Sequence, residues 1–188
     1  MTTISEFVKV DITDQMKADA TTIGKEVYDY DKLAGFEARH FIKEFGDYGS
    51  HSSFFGYLGE IIFSYYRHGN WNNVINKPRD QPNPFDDTID GKTIEIKTGN
   101  RRVDIAKIGN NFYFMVAAHQ IHHRPDYYVQ ILVHNGSAYI TGYITLEEVL
   151  RVGVTGNGQI NPSFNVPISK LLPIGSLINP IGLARWAK

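Results

Sequence analysis

At 188 residues, 42% hydrophobic and 21% charged, the chain has the size and composition of one folded domain with room for a buried core. The absence of cysteine excludes disulfides, thiolate zinc sites and a cysteine nucleophile. A net charge of −1 does not mark a nucleic-acid binder, but the charge is unevenly spread: residues 1–90 carry 15 acids and 9 bases, and residues 91–188 carry 5 acids and 10 bases.

The first residues, Met1-Thr2-Thr3-Ile4-Ser5-Glu6, lack the basic-then-apolar layout of a signal peptide. No apolar run approaches the roughly 20 residues needed to cross a bilayer, so a cytoplasmic protein with no membrane segment is expected. Without repeats or low-complexity tracts, residues 1–188 read as a single domain. Its N-terminal part, residues 1–50, reads as a helical extension: a helix from Asp14 to Val27 and another from Lys32 to Phe45, closed by Gly46. Ser52-Ser53 supplies an N-cap for a third helix to about Arg67, stopped by His68-Gly69-Asn70. Phe54, Leu58, Ile61, Ile62 and Tyr65 make its apolar stripe, with Glu60 on the opposite side near Arg67.

From Asn72 the period shortens. Val74-Ile75, Phe85 to Ile89 and Thr93 to Thr98 read as strands, the last two joined by Asp90-Gly91, one of the strongest hairpin signals. A strand from Phe112 to Val116, a short helix around Ala117 to His122, and strands Tyr127 to His134 and Ala138 to Ile144 follow, the last pair joined at Asn135-Gly136. Thr145 caps a brief helix from Leu146 to Leu150, and the tail is loop-rich with one or two edge strands. The order predicts an α/β fold with a central mixed sheet flanked by helices.

The hairpin carries the chemistry. A two-residue turn at Asp90-Gly91 pairs Ile89 with Lys92, Thr88 with Thr93, Asp87 with Ile94 and Asp86 with Glu95. Two opposed carboxylates repel unless a proton or cation lies between them, and a hard divalent ion such as Mg²⁺ suits such a pair. Lys97 shares the Glu95 face by strand parity, while Ile94 and Ile96 face the core. A carboxylate pair beside an ammonium suits metal-assisted phosphodiester hydrolysis. Asp/Glu-x-Lys alone is uninformative: 20 acids and 11 lysines in 188 residues give about one match by chance, and Asp90-Gly91-Lys92 is such a stray. The information lies in the register. A three-residue turn or a bulge makes Asp87 the ligand in place of Asp86.

Asn83-Pro84-Phe85-Asp86 followed by Asp90-Gly91-Lys92-Thr93-Ile94-Glu95-Ile96-Lys97-Thr98 resembles the active-site hairpin of the PD-(D/E)xK nuclease superfamily, which includes restriction endonucleases, junction resolvases and repair nucleases. Gly56-Tyr57-Leu58-Gly59-Glu60 is similar to that family's helical Gly-Glu. The resemblance covers about residues 51–134 as the nuclease core, leaving 135–188 as a strand hairpin and loop-rich C-terminal part. It implies a restriction endonuclease-like fold, metal ligation by Asp86 and Glu95 with Glu60 as an accessory acid, and Lys97 as catalytic lysine. It further implies Mg²⁺, with Mn²⁺ able to substitute, double-stranded DNA as substrate and a homodimer for cutting both strands. A type II restriction endonuclease is the first expectation within the class, a junction resolvase or repair nuclease the second. From another class, the rival is a catalytically inactive nucleic-acid-binding module.

Candidate phosphate or base contacts are Arg101, Arg102, Lys107, His119, Gln120, His122 and Arg124, from the basic stretch between Lys92 and Arg124. His119 and His123 stand at i, i+4 on a possible helix, but no third zinc ligand accompanies them. The aromatic pairs Tyr65-Tyr66 and Tyr127-Tyr128 read as core.

Overall fold

The computed structural model describes residues 6–33, 52–78, 85–100, 105, 108, 112–155 and 163–178. The chain is of the α/β class and divides into two compact units, residues 11–82 with 180–188 and residues 1–10 with 83–179.

The first unit is helical where described: α1 (Asp14–Leu33), α2 (Ser52–His68) and the single turn α3 (Asn72–Ile75). Thr13 Oγ1 accepts the Met16 N–H at 3.2 Å and so caps α1. Helix α1 buries Met16, Ala20 and Ile23, the i, i+4, i+7 spacing of one helix face, and packs on α2. The approach is close, since a Cβ on Gly24 would lie 3.3 Å from the Phe54 nitrogen. Trp71 Nε1 donates to Asp19 Oδ2 at 2.8 Å and tethers the turn after α2 back to α1.

Three expectations are corrected here. Helix α1 runs on to Leu33, past Val27, so its C-terminal residues overlap the start expected for the Lys32-to-Phe45 helix, which otherwise lies outside the described residues. Val74 and Ile75 are helical, since the Val74 and Ile75 N–H groups both bond the Trp71 carbonyl and close a helical turn. And α2 has no polar back over its middle. Every residue from Leu58 to Ser64 is buried, so Glu60, at 9% exposure, is inside, where Lys77 Nζ meets its carboxylate at 3.1 Å. A helix apolar nearly all round is a buried helix, and a charge within it needs a partner.

The second unit holds two sheets. The larger is mixed and five-stranded, in the order β1-β6-β5-β3-β2 (β1 Val8–Asp11, β2 Asp87–Ile89, β3 Lys92–Asn100, β5 Tyr127–His134, β6 Ser137–Thr145). The smaller has the order β4-β8-β7 (β4 Tyr113–Ala117, β7 Val154–Thr155, β8 Ser163–Pro167). Strand β1 follows the alternation Val8-Lys9-Val10-Asp11, so the region 1–50 expected to be helical begins with a strand. Both two-residue turns have left-handed backbone at each position, Asp90 and Gly91 at φ 49° and 77°, Asn135 and Gly136 at 48° and 77°. That is the type I′ geometry whose twist matches antiparallel strands.

Strands β3 and β5 run parallel, joined by a crossover that carries β4 and a 3₁₀ turn, Ala118–His123. Phe114 and Val116 of β4, Val166 of β8, Tyr128 and Leu132 of β5, Ile144 of β6 and Val149 of α4 (Leu146–Val152) form one buried cluster between the sheets. Thr145 Oγ1 accepts the Glu148 N–H at 3.1 Å and starts α4 as expected. At Gly142, φ is +144° and an added Cβ would stand 2.4 Å from the Leu172 carbonyl, so only glycine lets β6 pass this segment.

Candidate active site

Strand β3 is the centre of the site, and the turn sets its register. Asp87 pairs with Ile94, Thr88 with Thr93 and Ile89 with Lys92, as a two-residue turn requires. Asp87 therefore shares the face of Ile94, opposite to Glu95, and its Oδ1 accepts the N–H of Thr88 at 2.7 Å. Ile94 is fully buried and Ile96 is 6% exposed, both on that other face.

Asp86, expected opposite Glu95, instead departs from the regular ladder, because the paired register ends at Asp87 and Ile94. Its own N–H bonds the Ile94 carbonyl at 3.0 Å, and its carboxylate Oδ2 accepts the Ile96 N–H at 2.6 Å. The strand partner of β3 ends at Asp87, so the next N–H on that edge, that of Ile96, needs an acceptor. The Asp86 side chain supplies it. The carboxylate is thereby fixed against β3 at the residue between Glu95 and Lys97.

Lys97 Nζ lies 2.5 Å from Glu95 Oε1, with the two side chains 18% and 17% exposed. This ion pair shares a sheet face with Tyr128 and Gln130, which stand beside Glu95 and Lys97 on the parallel neighbour β5. Gln130 is 3% exposed and its Oε1 accepts the Thr141 hydroxyl at 2.8 Å. Tyr128 is fully buried, its ring edge-on to Phe114 with centroids 6.4 Å apart. Its hydroxyl has no hydrogen-bond partner among the described residues. Burial, with the Glu95 charge adding to it, pushes that hydroxyl up to about 12.

The far end of the β3–β5 pairing is tied by Asp126. Its Oδ2 accepts the Thr93 N–H and hydroxyl at 2.9 and 3.0 Å, its Oδ1 meets Lys92 Nζ at 3.0 Å, and its own N–H donates to Thr93 Oγ1 at 2.9 Å. The Thr93 N–H, then Lys92, hold the Asp126 carboxyl below its ordinary range. Lys92, first in the basic stretch, is thus engaged by an acid.

Of the expected site residues, Glu95 and Lys97 form an ion pair on β3, Asp86 accepts the Ile96 N–H of that strand, and Glu60 lies on α2 with Lys77. Arg101, Arg102 and Lys107 lie outside the described residues, as does the His119 side chain. Gln120 is half-buried, and His122, His123 and Arg124 are exposed, the two imidazole centroids 4.1 Å apart. The 3₁₀ winding there aligns positions three apart, so positions 119 and 123 do not share a face as they would on an α-helix. Tyr128, Gln130 and Asp126 had no place in the sequence-based expectation. Each reaches the hairpin only through the parallel β3–β5 register, which no local pattern reveals. Among the described residues no three His, Asp or Glu side chains gather to hold a metal, and no helix is long and apolar enough to cross a membrane.

Comparison with protein-family models, with curated proteins and with solved structures gives no match.

Proposed function

We propose that this chain is a Mg²⁺-dependent endonuclease that hydrolyses phosphodiester bonds of double-stranded DNA, with Asp86, Glu95 and Lys97 as its working residues. The observation that carries this reading is the largely buried Glu95–Lys97 pair, on the strand whose intervening N–H holds the Asp86 carboxylate. Two acids and a lysine drawn to one short stretch of strand, beside an unpartnered buried hydroxyl, are costly for a fold to keep without use.

Two carboxylates are the donor set that Mg²⁺ takes from protein, with water and substrate phosphate completing its shell, whereas a full protein cage would need more acids than gather among the described residues. Mg²⁺ held by Asp86 and Glu95 would supply Lewis acidity and a more acidic bound water. The ammonium of Lys97 donates to phosphoryl oxygen or the attacking water and offsets the charge that builds on phosphorus. Glu60, on this reading, is an accessory acid and Mn²⁺ a substitute ion. Cutting both strands of a duplex suits a homodimer, and a type II restriction endonuclease comes first within the class, ahead of a junction resolvase or repair nuclease.

The test is incubation with supercoiled plasmid and Mg²⁺, with and without EDTA. Nicked or linear product that EDTA suppresses is expected. Salt-sensitive DNA binding without any cut product would replace the enzyme by a catalytically inactive binding module.

A further inference from the structure

We propose that Tyr128 is a positioning residue for Glu95: its buried hydroxyl is the donor that takes up the Glu95 carboxylate whenever Lys97 does not hold it. The role assigned to Glu95 rests on the reading above, but the contact itself does not.

A fully buried tyrosine hydroxyl without a partner is an anomaly. Such groups are nearly always hydrogen-bonded, and leaving one unsatisfied is destabilising. An apolar site of the same shape would be filled by phenylalanine. Glu95 is the direct neighbour of Tyr128 across the parallel strands, on the same face, and its charge reaches the ring. In the state described, the carboxylate is turned to Lys97, and the hydroxyl is left over. Lys97 and Tyr128 flank Glu95 from its own strand and from the next, so the carboxylate has two places to be held. Work on a phosphate draws the lysine towards substrate. A second donor then keeps Glu95 oriented, and the hydroxyl's orphan state is the mark of that alternative.

The experiment is a set of thermal melts in EDTA, with Tyr128→Phe made in two backgrounds. In the otherwise native chain the hydroxyl has no partner among the described residues, so Tyr128→Phe leaves Tm unchanged or raises it. In the Lys97→Met background Glu95 turns to Tyr128, so the same substitution removes a hydrogen bond and lowers Tm by about 2–4 °C. The change of sign is the expected result. An equal shift in both backgrounds overturns the proposal. Should Lys97→Met fail to fold, NMR of the native chain labelled at the tyrosine ζ-carbon takes its place, with the Tyr128 resonance assigned by its loss in Tyr128→Phe. Mg²⁺ added alone moves that resonance if Glu95 changes partner. A resonance unmoved by Mg²⁺, in a protein whose Tm Mg²⁺ raises, overturns it. Failure of the nuclease reading shows separately, as intact plasmid beside an unaltered sign change in the melts.

Discussion

The Asp86 carboxylate is bonded to the backbone of Ile96, accepting its N–H at 2.6 Å where the hairpin partner of β3 has ended. One side chain therefore serves the sheet and, on the proposed reading, the site. The acid continues the ladder by a single bond and in doing so is aimed at the stretch that carries Glu95 and Lys97.

That dual use predicts a split between two substitutions. Asp86→Asn keeps an oxygen for the Ile96 N–H, so its melting temperature stays within about 2 °C of the native value, yet cleavage falls by about 10²–10³ with the loss of the charge. Asp86→Ala loses both, and its melt drops by about a further 1 kcal/mol equivalent, or roughly 2–4 °C. Plasmid cleavage beside calorimetry decides it. Full activity in Asp86→Asn would remove this acid from the site.

Glu95→Ala and Lys97→Ala should each reduce cleavage by about 10²–10³. Each also removes the charged partner from a pair less than a fifth exposed, which for Glu95 leaves only the weaker neutral donor Tyr128. In EDTA both single variants should lose about 1–3 kcal/mol, discounted from the full cost of a fully buried pair because some solvent reaches it. The double variant Glu95→Gln, Lys97→Met should recover part of that loss. DNA binding should survive Glu95→Ala, because an acid facing phosphate has gone. Wild-type cutting by either single variant would place the active site elsewhere.

The Asp126 clasp gives a pH dependence of known sign. A carboxyl held low in the folded state contributes stability above its unfolded pKa, near 4, and that stability is lost as pH falls through the lower folded value. Melts of the native chain should therefore fall below about pH 4, and Asp126→Asn should flatten that fall while lowering Tm at pH 7. Parallel melting curves for the two proteins between pH 7 and pH 3 would deny Asp126 this role.

Lys77→Met removes an ion-pair partner from a carboxylate only 9% exposed on α2, and should cost more stability than Glu60→Gln, which leaves a neutral amide in the same place. Urea denaturation of the two variants gives the comparison directly. If Glu60 also serves as the accessory acid, Glu60→Gln cuts more slowly than its stability loss explains, and unchanged cleavage strikes it from the site.

The local elements were legible in the sequence wherever a turn or cap announced them. Asp90-Gly91 set the hairpin register, Asn135-Gly136 the β5–β6 turn, and Thr145 the start of α4, because those residues carry backbone geometry in their own chemistry. Val74-Ile75 misled because two β-branched residues say little against a turn closed by backbone bonds to Trp71. Glu60 misled because an acid on a helix suggests a wet face, while Lys77, its partner from beyond the helix, permits burial. Along β3, the Glu95–Lys97 pairing on one face followed from strand parity alone. Tyr128 and Asp126 could not be read in that way, since they join β3 across a parallel pairing whose partners are distant in sequence.

That distance has a kinetic side. The two type I′ hairpins close locally, on the microsecond scale, whereas β3 meets β5 only by closing a loop whose first contacts, Thr93 and Asp126, stand 33 residues apart. Glu95 is therefore placed beside Tyr128 late, when one prefabricated hairpin docks on the other, and a docking one residue out of register would turn Ile94 and Ile96 to the face that now carries Glu95 and Lys97. The Asp126 clasp forms only in the native register and should disfavour this slip. Without it, in Asp126→Ala, refolding should slow and pass through a trapped species that has full strand content but no Mg²⁺ response, visible as a second phase in stopped-flow refolding.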